Sequence, residues 1–464
     1  MERTDHREAQ PEAKGISRRG LLVGAASAGA LAAPLLRASA AAADGSPLSL
    51  SGGLLQTERG GVVSGGYAPG FKRVRDEFVR NFAERGEVGA SVCVMLGGIP
   101  VVDLWGGTAD PSTGSPWQRD TLVHVWSCTK AVTSLCAHLL ASRGQLDLDA
   151  PVVQYWPEFG QNGKQNTTVE MLMSHKAGVP AIREPLPMGA LYDWDFMVDA
   201  LAAEAPFWEP GTRHGYHALT YGFLVGEVIR RVSGKPLGDF VRDEITGPLG
   251  LDLWMGLPAS EDARVAPSIP ADPPTPPFPN WLLLALTDPT SIPALIFFNN
   301  GGYLTPGEAD TRAAREAVMG AVGAITNGRA LAKMYAEIIR PRLPFRPALL
   351  DDASLVRMSR AISCGFDMFG QIPSRFACGY TKTMNNRRGT PGNLDSQVLS
   401  EDAFGHPGFG GSLGFCDPRI GLSFGYTMNR QGPGTMLNPR GQSLVDATYQ
   451  SLGYAEKGGS FAHA

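Results

Sequence analysis

Apolar residues along this chain change their spacing from segment to segment, and the changes mark out its elements. Val132, Leu135, Cys136, Leu139 and Leu140 recur at i, i+3, i+4, i+7 and i+8, the spacing of one helical face, and predict a helix over 131–143 started by Ser127 and ended by Gly144. A second helix is expected from Phe71 to Arg85 and a closing one near Gly441 to Leu452. Ala90 to Leu96 and Pro100 to Trp105 read as strands turning at Gly97-Gly98, which makes a hairpin. Gly411 to Cys416 and Ile420 to Met428 read as another, turning at Asp417-Pro418-Arg419. The middle of the chain is mostly helix and loop. Strands toward both ends around a helical middle imply an α+β fold, an antiparallel sheet flanked by helices with a mostly helical region inserted, about 127–350. One domain is expected over 67–464, preceded by a flexible Gly/Ser-rich segment over 44–66. The prolines of Asp272 to Pro279 predict an extended arm. The apolar residues beyond it, Trp281 to Leu286 and Ile292 to Phe298, are expected to form a lid, one wall of an acyl pocket, or packing against the helical part.

The N-terminus carries a separate signal. Ser17-Arg18-Arg19-Gly20-Leu21-Leu22 precedes an apolar, alanine- and glycine-rich run to Leu36, and small residues fill 38–43. This pattern is that of a twin-arginine export signal over 1–43, cleaved just before Asp44, and implies the export machinery as a partner and a secreted, periplasmic or cell-wall location. No cysteine follows the apolar run, so a lipid anchor is not expected. Elsewhere nothing approaches the roughly 20 apolar residues that span a bilayer. With 43% hydrophobic residues and a net charge of −4, the chain can bury a large core and has no basic excess for nucleic acid. Its six cysteines are too sparse for a disulfide scaffold, and no metal-ligand spacing occurs, so neither metal nor cofactor is expected.

Ser127-Cys128-Thr129-Lys130 is the one place where a serine is followed three residues later by a lysine. Residues three apart share a helical face, so the Lys130 amine can approach the Ser127 hydroxyl, and first-turn N–H groups point toward a developing oxyanion. A serine hydroxyl needs such a base to become a nucleophile. A lysine can serve only if desolvation or positive neighbours depress its pKa. Further on stand Leu172-Met173-Ser174-His175, then Trp208-Glu209-Pro210-Gly211 leading to Tyr216-His217-Ala218, and near the end His406-Pro407-Gly408-Phe409-Gly410-Gly411-Ser412.

From about Phe71 to Leu452 this series resembles the serine β-lactamase and penicillin-binding-protein superfamily, closest to class C β-lactamases and the related family VIII carboxylesterases. The resemblance implies the β-lactamase/transpeptidase-like fold and an active site in the groove between sheet and helical part. It makes Ser127 the nucleophile and Lys130 its partner. Tyr216 takes the tyrosine of the Y-x-N element, which relays a proton. His406-Pro407-Gly408 falls where the family has a K-T-G, H-x-G or W-G-G element, and the N–H groups of Ser127 and Phe409 become the oxyanion donors. Two departures matter. Ala218 stands for the asparagine that holds a substrate amide, and His406 for the lysine that often helps to bind a carboxylate. Both favour a small ester or acyl substrate over a β-lactam. Acyl transfer, β-lactam hydrolysis, D-Ala-D-Ala peptidase activity and a silent ligand-binding homologue remain alternatives. His175 is expected to stabilise a turn. Gly410-Gly411-Ser412-Leu413-Gly414 matches a G-x-S-x-G elbow, but it sits before a hairpin, and the one histidine that follows is His463.

Overall fold

A computed structural model of the chain describes residues 55–56, 62–341 and 348–464; the twin-arginine segment lies outside them. The main sheet is antiparallel throughout. Its strands are β1 (Val62–Tyr67), β2 (Gly89–Leu96), β3 (Ile99–Asp110), β4 (Phe404–Pro407), β5 (Leu413–Asp417) and β6 (Leu422–Met428), in the order β1-β3-β2-β6-β5-β4, with Leu55–Gln56 paired outside β1. The two expected hairpins are therefore neighbours. Phe424 of β6 lies opposite Val94 of β2 and Phe415 of β5, so the two ends of the domain close one sheet. Val62 to Gly66, expected within the flexible segment, instead form most of β1; Ser64 to Gly66 pair with β3, and Val63 is buried.

Helices α1 (Lys72–Glu84) and α7 (Pro439–Ser451) cover one face of the sheet. Val74, Phe78 and Phe82 of α1 join Val92, Val94, Phe415, Phe424, Leu444 and Val445 in one buried core. Helix α6 (Gly328–Ile338) lies on β2, β5 and β6. Its approach is so close that a Cβ on Gly425 would stand 2.1 Å from the Gly328 carbonyl oxygen, and only glycine fits there. The inserted region packs around α2 (Thr129–Ser142), all of whose residues from Thr129 to Leu140 are buried. A helix buried on every side is a core helix. Helix α3 (Tyr221–Ser233) is among those packed on it.

Asp272 to Pro279 carries no helix, as the prolines require, but the apolar residues beyond form two short helices, α4 (Asn280–Thr287) and α5 (Ile292–Phe298), bent by 79° at Asp288 to Ser291. Pro293 sits in the first turn of α5, where its missing N–H costs nothing, and Ser291 caps that helix through the Ala294 N–H. Among the described residues no single helix is long and apolar enough to cross a membrane.

Candidate active site

A small four-stranded sheet delivers the serine. Leu122–His124, paired with Ala324–Thr326, runs into a one-turn 3-10 helix, Trp126–Cys128, and α2 begins only at Thr129. Ser127 thus precedes the α-helix that it was expected to start. The turn is tight enough to hold Trp126 at φ 47°, a left-handed conformation unusual for a bulky residue and common at functional sites. The Thr129 hydroxyl fixes it by donating to the Trp126 carbonyl at 2.5 Å and accepting from the Ala324 N–H at 2.9 Å. Ser127 is 9% exposed.

Lys130 is fully buried, and its Nζ has three neighbours: the Ser127 Oγ at 3.1 Å and the carbonyl oxygens of Ala218 at 2.7 Å and Ala321 at 3.1 Å. Burial pushes its pKa well below the ordinary lysine value. A neutral amine has two N–H bonds and one lone pair. The two carbonyls take the N–H bonds, and the lone pair is left for the Ser127 hydroxyl proton.

Tyr216 completes the group. The Ser127 side chain is one of the groups acting on its phenol, and its ring lies under Nζ, with 4.7 Å from Nζ to the centroid. The ring stacks on Phe376 at 6.0 Å and meets His175 at 4.9 Å. Loss of solvent raises its pKa, so the phenol stays protonated. His175, at φ 61°, accepts the His217 N–H on Nδ1 at 3.1 Å, which holds the 216–217 backbone as expected of a turn-stabilising residue.

Beside Tyr216, with the two rings 5.9 Å apart, His406 and Pro407 end β4, and Gly408 brings the chain against the serine turn; a Cβ there would lie 2.3 Å from the Val125 carbonyl oxygen. Phe409 follows, with its ring edge-on to Trp126 at 5.7 Å. Neither the Ser127 nor the Phe409 N–H has an acceptor among the described residues, which leaves two backbone donors beside Oγ. Cys128 is a buried thiol donating to the His406 carbonyl at 3.2 Å, its pKa pushed up to about 12 by burial. None of the six cysteines is in a disulfide. Ser412 is not set as a nucleophile: it is fully buried, its hydroxyl has no partner among the described residues, and it precedes β5 rather than a helix.

Asp367 has no signal in the sequence. Its Oδ1 accepts the N–H groups of Tyr216 at 3.1 Å, Phe369 at 2.9 Å and Gly370 at 3.0 Å, and its Oδ2 accepts the Ser374 hydroxyl at 2.9 Å. The His214 ring contacts that hydroxyl in turn, also at 2.9 Å. The Ala218 and Ala321 carbonyls are equally unreadable, because their contribution is backbone. Among the described residues no group of three or more His, Cys, Asp or Glu is placed to hold a metal ion.

A family model described as Beta-lactamase matches residues 75–448. The chain belongs to the beta-lactamase family. This beta-lactamase-family protein is a serine hydrolase with the β-lactamase/transpeptidase-like fold. It is 34% identical to "Esterase/beta-lactamase LipL" of Mycobacterium tuberculosis over 392 residues, 80% of this chain and 84% of that one. Among solved structures it resembles a family VIII carboxylesterase, at TM-score 0.73 and 35% identity over 84% of this chain and 99% of the other. A penicillin-binding protein homolog from Caulobacter crescentus matches at TM-score 0.72 and 33% identity, with the same coverage.

Proposed function

We propose that the chain is an exported carboxylesterase that works through an acyl-enzyme on Ser127. The Ser127 Oγ attacks the ester carbonyl as its proton passes to the Lys130 lone pair. The oxyanion that forms is met by the Ser127 and Phe409 N–H groups. Tyr216 lies between the lysine and the departing oxygen, so it can hand its own proton to the leaving alcohol and recover one from Lys130. In the second half, Tyr216 takes a proton from water as its own passes to Lys130, the hydroxide attacks the acyl carbon, and Lys130 returns the proton to the Ser127 Oγ as the carboxylic acid leaves.

The observation that carries this reading is the setting of Lys130, a buried amine with no carboxylate beside it and two carbonyls consuming its N–H bonds. A structural lysine has no use for an arrangement that strips its charge. Esters are favoured over β-lactams because the 218 position presents only a methyl group. A lost polar contact of this kind costs about 1–3 kcal/mol, roughly one or two decades in rate. The names of the similar esterases support the same choice.

A screen of p-nitrophenyl esters of increasing chain length, a chromogenic cephalosporin and D-Ala-D-Ala peptides tests the proposal. Short to medium acyl esters are expected to turn over best, and mass spectrometry to find the acyl adduct on Ser127. Ser127→Ala is expected to abolish adduct and turnover alike. A kcat/KM on the cephalosporin equal to or above that on p-nitrophenyl butyrate would restore a β-lactamase, and an adduct on Ser412 would overturn the assignment. For export, replacing Arg18 and Arg19 by lysines is expected to leave the precursor in the cytoplasm; secretion of that variant at normal yield excludes the twin-arginine route.

A further inference from the structure

Tyr216 also lines a pocket shared with Phe369, Ile372, Phe376, Met384, Met436 and His406. Its position identifies its occupant. Tyr216 protonates the departing oxygen in the reading above, so the atoms beyond that oxygen, the alcohol half of the ester, fall on this side.

The polar groups of the pocket are almost all engaged. Asp367 accepts four hydrogen bonds, one of them from Ser374, the Thr381 hydroxyl donates to the Gly405 carbonyl at 2.8 Å, and the Thr435 hydroxyl donates to Asp395 at 2.8 Å. No lysine or arginine lines the pocket. The exception is His406. Its Nδ1 lies 2.8 Å from the Pro407 carbonyl oxygen, which can only accept, so Nδ1 carries the proton. In the neutral ring Nε2 is then an acceptor. It is buried, with His406 2% exposed, and it has no partner. Burial disfavours a second proton, holding the imidazole pKa down to about 3. A buried acceptor without a donor is costly, and a ligand that brings the donor recovers that cost.

We propose that His406 selects esters whose alcohol half carries a hydroxyl group that donates to Nε2, and rejects those that carry a carboxylate there. The preferred substrates are monoacyl esters of diols or polyols. A carboxylate would meet a lone pair and the Asp367 carboxylate with no cation to balance it.

This inference rests on the esterase reading, and the experiment separates the two. Three butyrates serve as probes: propyl, 2-hydroxyethyl, which matches it in size, and carboxymethyl. On the unaltered chain the 2-hydroxyethyl ester is expected to exceed the propyl ester in kcat/KM by about three- to tenfold, and the carboxymethyl ester to fall below it by about tenfold or more. In His406→Phe the hydroxyethyl-to-propyl ratio is expected to drop to about one, and in His406→Gln, whose amide oxygen restores an acceptor, part of it is expected to return. Both substrates are read on one preparation, so the ratio is insensitive to the fraction of folded enzyme. A ratio near one in the unaltered chain, the same ratio in His406→Phe, or a preference for the carboxymethyl ester overturns the inference while leaving the esterase standing. If all three esters are inert and a chromogenic cephalosporin is hydrolysed, the esterase reading fails and takes this one with it.

Discussion

Lys130 has no counter-charge among the described residues, and that single fact sets the pH behaviour of the site. Burial depresses its pKa, so the neutral base is present above that lowered value and disappears as pH falls through it. Ester kcat/KM is therefore expected to fall on the acid side along one titration that lies well below the ordinary lysine value. A profile that rises only near the ordinary lysine value of 10.5 would sink the neutral-amine reading. Lys130→Ala and Tyr216→Phe are each expected to lower kcat by roughly 10² or more, through lost proton transfer. Asp367 acts one step back, as a positioning residue. Asp367→Ala leaves the N–H groups of Tyr216, Phe369 and Gly370 without their acceptor, and is expected to lower kcat by about tenfold or more, with KM less affected. Asp367→Asn keeps an oxygen for the same three N–H groups and is expected to retain most of the rate. If Ala and Asn lower kcat equally, the carboxylate charge matters rather than the anchoring.

At the scale of elements, what was legible followed from local periodicity. The helix over 131–143 and the two hairpins each declare themselves within 18 residues or fewer, and the structure has them as α2, β2–β3 and β5–β6 with ends shifted by up to a few residues. The apolar run at 281–298 shows why the reading stops. Continuous hydrophobicity does not distinguish strand, lid and helix, and the run became helices because Pro279 and Ser291 start two separate turns. Their role is equally non-local. Trp281 stacks on Phe297 at 4.7 Å, Phe297 on Phe369 at 6.0 Å, and Phe369 meets Tyr216 at 5.9 Å, so the pair buttresses the pocket from behind a first row of rings. Phe297→Ala removes the middle ring of this chain. It is expected to lower kcat/KM on p-nitrophenyl esters by about tenfold and to cost about 1–3 kcal/mol of stability, read by kinetics and urea unfolding; unchanged kinetics with lost stability would mean that the helices serve packing alone. In the candidate site, Ser127 and Lys130 were visible as a pair three residues apart. Asp367 was not, since it meets the Tyr216 N–H across 151 positions.

At the scale of the whole molecule, the two ends of the domain are joined by a buried charge. Glu87, just before β2, is fully buried; it accepts from Arg440 at 2.8 Å, in the first turn of α7, and from the Tyr426 hydroxyl of β6. Arg440 also donates to the Arg430 carbonyl at 2.7 Å, and its own carbonyl accepts from Asn81 of α1 at 3.1 Å. Removing one partner of such a pair leaves the other charge buried alone and typically costs 3–5 kcal/mol. Arg440→Met is expected to do so at pH 7.5. Burial already raises the Glu87 pKa, and the arginine is the first of the influences that oppose this, so in the variant the carboxyl rises further. A carboxyl whose folded pKa lies above its unfolded value gives stability that is fully present below the unfolded pKa and lost as pH rises through the folded one. The deficit of Arg440→Met relative to the unaltered chain should therefore shrink between pH 7.5 and 5, and adding Glu87→Gln should remove most of its pH dependence. Thermal unfolding of the three proteins at both pH values checks this; a deficit equal at both would mean that lost packing of the arginine stem, not the stranded carboxylate, is the cause.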